Sequence, residues 1–135
     1  METIEVFLVE DNPADVMLVR VALAQVPFPL KLSVAKDGEQ ALNMLNTPEF
    51  HPQLIILDLN MPRVDGQTVL QQYQQNKIPI VIFSSTQNKT EVQKALALGA
   101  REYVQKPIGF EPYAAAVRGI LKRWIIPPEQ PLAAS

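Results

Sequence analysis

The segment Leu54-Ile55-Ile56-Leu57-Asp58-Leu59-Asn60-Met61-Pro62 runs from four consecutive apolar residues into an acid and then a turn. An unbroken apolar run this short suits a strand covered on both faces, as parallel sheets require; a strand with one wet face would alternate. The pattern recurs on either side. Val6-Phe7-Leu8-Val9 ends in Glu10-Asp11, and Ile80-Val81-Ile82-Phe83 ends in Ser84-Ser85-Thr86. Residues 30–35 and 102–105 read as two further strands, the last ended by Lys106-Pro107.

Helical patterns fill the gaps. Asn12-Pro13 opens a helix over residues 14–25, with proline in the first turn, where a missing N–H costs little, and with Val16, Val19 and Leu23 on one face. Pro27 and Pro29 end it. Asp37-Gly38 turns into a short helix over 39–45. Residues 67–75 form the third helix, with Val69, Leu70 and Tyr73 inward. Residues 89–98 form the fourth, stopped by Gly99, and 111–126 the last. Five strands alternating with five helices imply right-handed crossovers and an α/β, doubly wound five-stranded parallel sheet, flavodoxin-like in build. On 135 residues this is one domain, expected over 1–126 with a loose tail at 127–135.

Composition narrows the chemistry. A hydrophobic fraction of 47% with 19% charged residues is globular. The absence of cysteine excludes disulfides, thiol catalysis and cysteine metal sites, and the single His51 excludes a multi-histidine zinc centre. A net charge of −2 gives no general attraction to nucleic acid or to anionic membrane. No apolar run is long enough to span a bilayer, and the acidic start Met1-Glu2-Thr3-Ile4-Glu5 is unlike a signal peptide, so a soluble, cytoplasmic protein is expected.

In doubly wound sheets ligands sit beyond the C-terminal ends of the strands. The residues there are Glu10, Asp11, Asp58, Asn60, Ser84 and Lys106. Singly, each reads as a loop acid, a helix cap or a solvated lysine. Together they bring three carboxylates, a hydroxyl and an ammonium to one edge. Crowded carboxylates repel and raise their own pKa values, and a hard divalent cation relieves that. Magnesium takes carboxylate, carbonyl and water oxygens and leaves room for a phosphate oxygen. Lys106 can balance a further anionic oxygen, and Ser84 can donate to one. The set is complete for binding Mg²⁺ and a transferable phosphoryl group, with one carboxylate as nucleophile.

Glu10-Asp11, Asp58-Leu59-Asn60-Met61-Pro62, Asp65-Gly66, Ser84 and Lys106-Pro107, in this order and spacing, resemble the receiver domain of two-component response regulators, the CheY family, over residues 4–124. The resemblance implies that Asp58 accepts a phosphoryl group as an acyl phosphate from a histidine kinase or a phosphotransfer protein. It implies that Asp11 ligates Mg²⁺ directly, Glu10 directly or through water, with Asp58 and the backbone carbonyl of Asn60 completing the protein ligands. Lys106 would pair with Asp58 and later with a phosphoryl oxygen, aided by a cis bond before Pro107. Ser84 would turn toward the phosphoryl group, Ser85 would leave room for it, and Tyr103 would be the aromatic switch. Asn60 and Thr86 occupy the positions expected to set the phosphate lifetime. Such a protein is not an enzyme beyond its own phosphorylation and dephosphorylation.

With no output segment after the last helix, signalling is expected by contact through the fourth helix, fifth strand and fifth helix. The stretches Glu10-Asp11-Asn12-Pro13-Ala14-Asp15-Val16 and Asp37-Gly38-Glu39-Gln40-Ala41-Leu42, with Trp124, are similar to stand-alone regulators that partner bacterial phytochrome kinases and commonly form homodimers. Phe110, Tyr113, Val117, Ile120, Leu121 and Trp124 put more apolar area on the last helix and its entry than the one face that must pack on the sheet; the surplus, with Ile125 and Ile126, is the expected dimer or partner surface, at Phe110, Tyr113 and Trp124. Met17, Leu18 and Val21 are candidates for contact with the phosphoryl donor. Three other readings remain open. An aspartate-nucleophile phosphohydrolase would want an acid at Asn60 and a cap segment. An FMN carrier would want a hydroxyl- and glycine-rich loop in place of Glu10-Asp11-Asn12-Pro13. An unphosphorylated binding module would not need the acid, hydroxyl and lysine set.

Overall fold

The computed structural model describes residues 3–61, 66–73 and 78–125. Pro62, Asp65, Gln74, Gln75, Ile126 and the tail at 127–135, on all of which expectations were placed, lie outside the described residues. Strands β1 (Ile4–Val9), β2 (Leu30–Ala35), β3 (Leu54–Leu57), β4 (Ile80–Ser84) and β5 (Glu102–Gln105) alternate with helices α1 (Pro13–Ala24), α2 (Gly38–Leu45), α3 (Gly66–Gln72), α4 (Lys89–Ala97) and α5 (Phe110–Trp124). All strand pairs are parallel, in the order β2-β1-β3-β4-β5. The order reverses at β1, which has β2 on one side and β3 on the other, so the switch point lies beyond Val9 and Leu57.

The apolar runs are explained by the two cores. Along β1, Val6 and Leu8 join a cluster with Val19 and Leu23 of α1 and Val117, Ile120 and Leu121 of α5. Phe7 and Val9 join the opposite cluster, with Leu45 of α2, Val69 and Leu70 of α3, and Ala95 of α4. Successive side chains point to opposite faces, so a strand between two helical layers must be apolar at every position. Each large side chain so buried contributes about 1.5–3 kcal/mol relative to exposure.

Capping sets the helix starts. Asn12 Oδ1 accepts the N–H groups of Ala14 (2.8 Å) and Asp15 (3.4 Å), which starts α1 at Pro13, one residue before the expected start. Asp37 caps α2 through the Gln40 N–H at 2.8 Å, and Asn88 caps α4 through Thr90 at 2.9 Å. Gly99, with φ of 117°, ends α4 in the left-handed region that glycine favours.

One expectation about α5 needs correction. Tyr113 is 3% exposed and is core, not surface, with its ring edge-on to Phe83 at 5.0 Å. Val117, Ile120 and Leu121 are wholly buried with it. The spacing 113, 117, 120, 121 is the inward stripe of the helix, and the sheet and α1 together cover all of it. Phe110, at the helix start, remains 43% exposed, and Trp124 is half-buried, its indole N–H donating to Glu102 Oε1 at 2.7 Å.

Candidate functional site

Backbone hydrogen bonds beyond the strands carry the site residues to one edge. The N–H of Glu10 donates to Ala35 O (2.9 Å), that of Asp58 to Val9 O (3.1 Å), and that of Lys106 to Ser84 O (2.9 Å). The sheet therefore continues one residue past β1, β3 and β5, and these three side chains share its end. Gly66 closes the floor. Its N–H donates to Leu59 O at 3.3 Å, and a Cβ there would lie 2.6 Å from the Asp58 carbonyl oxygen. No other residue lets α3 start this close to the Asp58-Leu59 backbone.

Asp58 is buried and fully engaged. Its Oδ1 accepts the Ser84 hydroxyl at 2.7 Å and the Asn60 N–H at 3.2 Å, and its Oδ2 faces Lys106 Nζ at 3.5 Å. Ser84 is itself wholly buried. Lys106 reaches Glu10 Oε1 at 2.6 Å, and Glu10 Oε2 accepts the Asn12 N–H at 3.1 Å. Asp11 is exposed beside them, and oxygen atoms from Glu10, Asp11 and Asp58 lie within 4.8 Å of one another. Asn60 is exposed at the rim, as is Ser85.

Burial, with the Asp58 charge added, pushes the Glu10 carboxyl up to about 7, against the pull of Lys106 and the Asn12 N–H. Burial alone would lower the Lys106 ammonium. The hydrogen bond to Glu10 and the charges of Asp58, Glu10 and Asp15 outweigh it, so its pKa is raised. Two buried or crowded acids with one shared lysine form a donor set short of positive charge. Three carboxylates around one point fit a hard divalent cation, and Glu10, Asp11 and Asp58 are the groups that would hold it.

The Tyr103 hydroxyl donates to the Thr86 carbonyl and lies 3.4 Å from the Ser84 carbonyl, so it is fastened to the loop that follows β4. Burial raises its pKa. The expected cis bond before Pro107 is not found. No cis peptide occurs among the described residues, and Lys106 reaches Glu10 and Asp58 across an ordinary trans bond. Sequence reasoning also missed a residue. Asp15 Oδ2 lies 3.4 Å from Lys106 Nζ, and its Oδ1 accepts the Tyr113 hydroxyl at 2.8 Å. No local signal marks it, since an acid in the first turn of a helix reads as complementing the helix N-terminus.

The family model of the response regulator receiver domain matches residues 6–118. Response regulator Rcp1 of Synechocystis is 32% identical over 131 residues, which cover 89% of this chain and 88% of Rcp1. A structure of Rcp1 in its Mn²⁺-bound form superposes with a TM-score of 0.84 at 30% identity, covering 94% of this chain and 98% of that one. The phosphorylated cyanobacterial phytochrome response regulator RcpA gives a TM-score of 0.87 at 30% identity, covering 98% of this chain and all of that one. The bacteriophytochrome response regulator RtBRR is 35% identical with a TM-score of 0.72, over 96% of this chain and 85% of its own. The family model and these relatives match nearly the whole length of the chain that carries this site, and the protein belongs to the response regulator receiver domain family.

Proposed function

We propose that the protein relays a signal by accepting a phosphoryl group on Asp58, with Mg²⁺ held by Glu10, Asp11, Asp58 and the backbone carbonyl of Asn60. The observation that supports this most is the seating of Asp58, buried between the Ser84 hydroxyl at 2.7 Å and the Lys106 ammonium at 3.5 Å. An Asp58 oxygen attacks the phosphorus of a phosphohistidine. The P–O bond forms as the P–N bond breaks, and its electron pair leaves with the imidazole nitrogen. Bound Mg²⁺ would supply charge neutralisation of the phosphoryl oxygens. Lys106 moves its ammonium from carboxylate to phosphoryl oxygen, and Ser84 gives up Asp58 Oδ1 to donate to another. Tyr103, tied to Thr86 of the same loop, carries that shift to the α4-β5-α5 face. Asn60 and Thr86 flank the acyl phosphate and govern how readily water reaches it.

A histidine kinase, with a bacterial phytochrome as the favoured kind, or a phosphotransfer protein is the donor in this reading. The descriptions of RcpA as a phytochrome response regulator and of RtBRR as a bacteriophytochrome response regulator support it. The exchange takes place in the cytoplasm and involves neither nucleic acid nor membrane; no helix among the described residues is long and apolar enough to cross a bilayer. Phe110 and Trp124 belong to the face through which two copies pair. The receiver domain fills residues 1–126 and the tail follows it. The test is phosphoryl transfer from an autophosphorylated bacteriophytochrome kinase. The label should leave the kinase and appear on the wild type, but not on Asp58→Asn. Label retained on every kinase tried, in a protein that acetyl phosphate does modify, would reject the proposed donor class.

A further inference from the structure

The proposed function uses two of the three carboxylates around Lys106 for other tasks. Asp58 takes the phosphoryl group and Glu10 faces the cation. The third, Asp15, has neither task, yet it lies 3.4 Å from the ammonium. It is not a loose surface acid. Tyr113, buried in the first turn of α5, donates its hydroxyl to Asp15 Oδ1 at 2.8 Å, which leaves Oδ2 turned to Lys106. Tyr113 is held in turn by the Phe83 ring at 5.0 Å, on the strand that ends in Ser84. Side-chain exposures of 10% for Lys106 and 19% for Asp15 leave the pair little water to compete with it.

An ammonium has three N–H donors, and here it meets three carboxylates. When Glu10 and Asp58 change partners, a lysine with no other anchor gains the freedom of a long side chain, which opposes its placement on a phosphoryl oxygen. We infer that Asp15, oriented by Tyr113, is a positioning residue that holds Lys106 over Asp58 while the other two carboxylates turn to the cation and the phosphoryl group. This rests on the phosphoacceptor reading above. It makes the first turns of α1 and α5 part of the site's scaffold.

The test is binding of beryllofluoride, a phosphoryl mimic, at saturating Mg²⁺, read by ¹⁹F NMR on the full chain. Asp15→Asn keeps the size and the acceptor for Tyr113 but removes the charge, and should weaken binding about fivefold. Tyr113→Phe keeps the ring and its packing and should weaken binding about twofold, with nothing added when combined with Asp15→Asn. In a Lys106→Ala background Asp15→Asn should not weaken binding at all, since it then removes a repelling charge and no lysine anchor. A merely structural Asp15 would weaken binding equally with and without Lys106, and that result overturns the inference. So does wild-type affinity in Asp15→Asn. A wild type that neither binds beryllofluoride nor takes a phosphoryl group from acetyl phosphate would overturn the phosphoacceptor reading, and the role assigned to Asp15 with it.

Discussion

Helices α4 and α5 both flank β5, and they are anchored very differently. α5 buries Tyr113, Ala114, Val117, Ile120 and Leu121 against the sheet and α1, whereas α4 buries only Ala95. α5 is also fastened at both ends. Tyr113 donates to Asp15, and Arg123 and Trp124 both donate to Glu102 of β5, at 3.0 and 2.7 Å. α4 has the Gln67 amide on the Glu91 carbonyl at 2.8 Å. Resistance to local opening follows buried apolar contact, so α4 and the loop before it give way before α5 does. That loop contains Thr86, two residues after Ser84, to which Tyr103 is hydrogen-bonded. A change at Asp58 that reaches this loop should therefore register on α4 before it registers on α5.

The largest effect that could break this contrast is a pair of truncations. Leu121→Ala in α5 should cost about 2–5 kcal/mol by urea denaturation, while Val92→Ala, half-buried in α4, should cost under about 1 kcal/mol. Equal costs would show α4 to be as firmly held as α5. Next, Gly66→Ala places a methyl against the Asp58 carbonyl and should cost about 1–3 kcal/mol while slowing phosphorylation, since it shifts the acceptor's own backbone. Normal phosphorylation in a destabilised Gly66→Ala would separate the floor from the site.

The site should also respond to pH in a way neither helix does. Glu10 ionises near 4.5 when unfolded and near 7 when folded, so between these values the folded state binds the extra proton. Stability without metal should therefore fall as pH rises from about 4.5 through about 7, and Glu10→Gln should flatten that fall. Mg²⁺ should raise the melting temperature more at pH 8 than at pH 5.5. A metal effect that is larger at the lower pH would contradict the assignment of Glu10 to the cation. The smallest effect is that of Tyr103→Phe, about 1 kcal/mol or less, because it removes one hydroxyl donor from a half-buried ring. Hydrogen exchange should nevertheless quicken at 86–92 and not in α5; quickening in both would place the two helices in one unit.

How far the sequence discloses all this depends on which rule a residue obeys. The sheet is legible because Leu54-Ile55-Ile56-Leu57 and its two counterparts are apolar at every position, which parallel strands between helices require. Glu10, Asp11, Asp58, Ser84 and Lys106 are legible as a group because each stands at or just beyond the C-terminal end of a strand, and the fold brings these ends together. Tyr113 was misplaced because periodicity shows that α5 has an apolar stripe but not how much of it the sheet covers. Asp15 went unread because it belongs to a helix, and its contact with Lys106 depends on the crossing of α1 and α5. The trans bond before Pro107 lay beyond any local rule, since proline permits both isomers.

The most direct measurement is intact-mass spectrometry after incubation with acetyl phosphate, with and without Mg²⁺, on the wild type and on Asp58→Asn. A single added phosphoryl group that requires both Mg²⁺ and Asp58 is expected. An adduct that persists in Asp58→Asn, or none in a wild type that also fails to bind beryllofluoride, would contradict the phosphoacceptor reading.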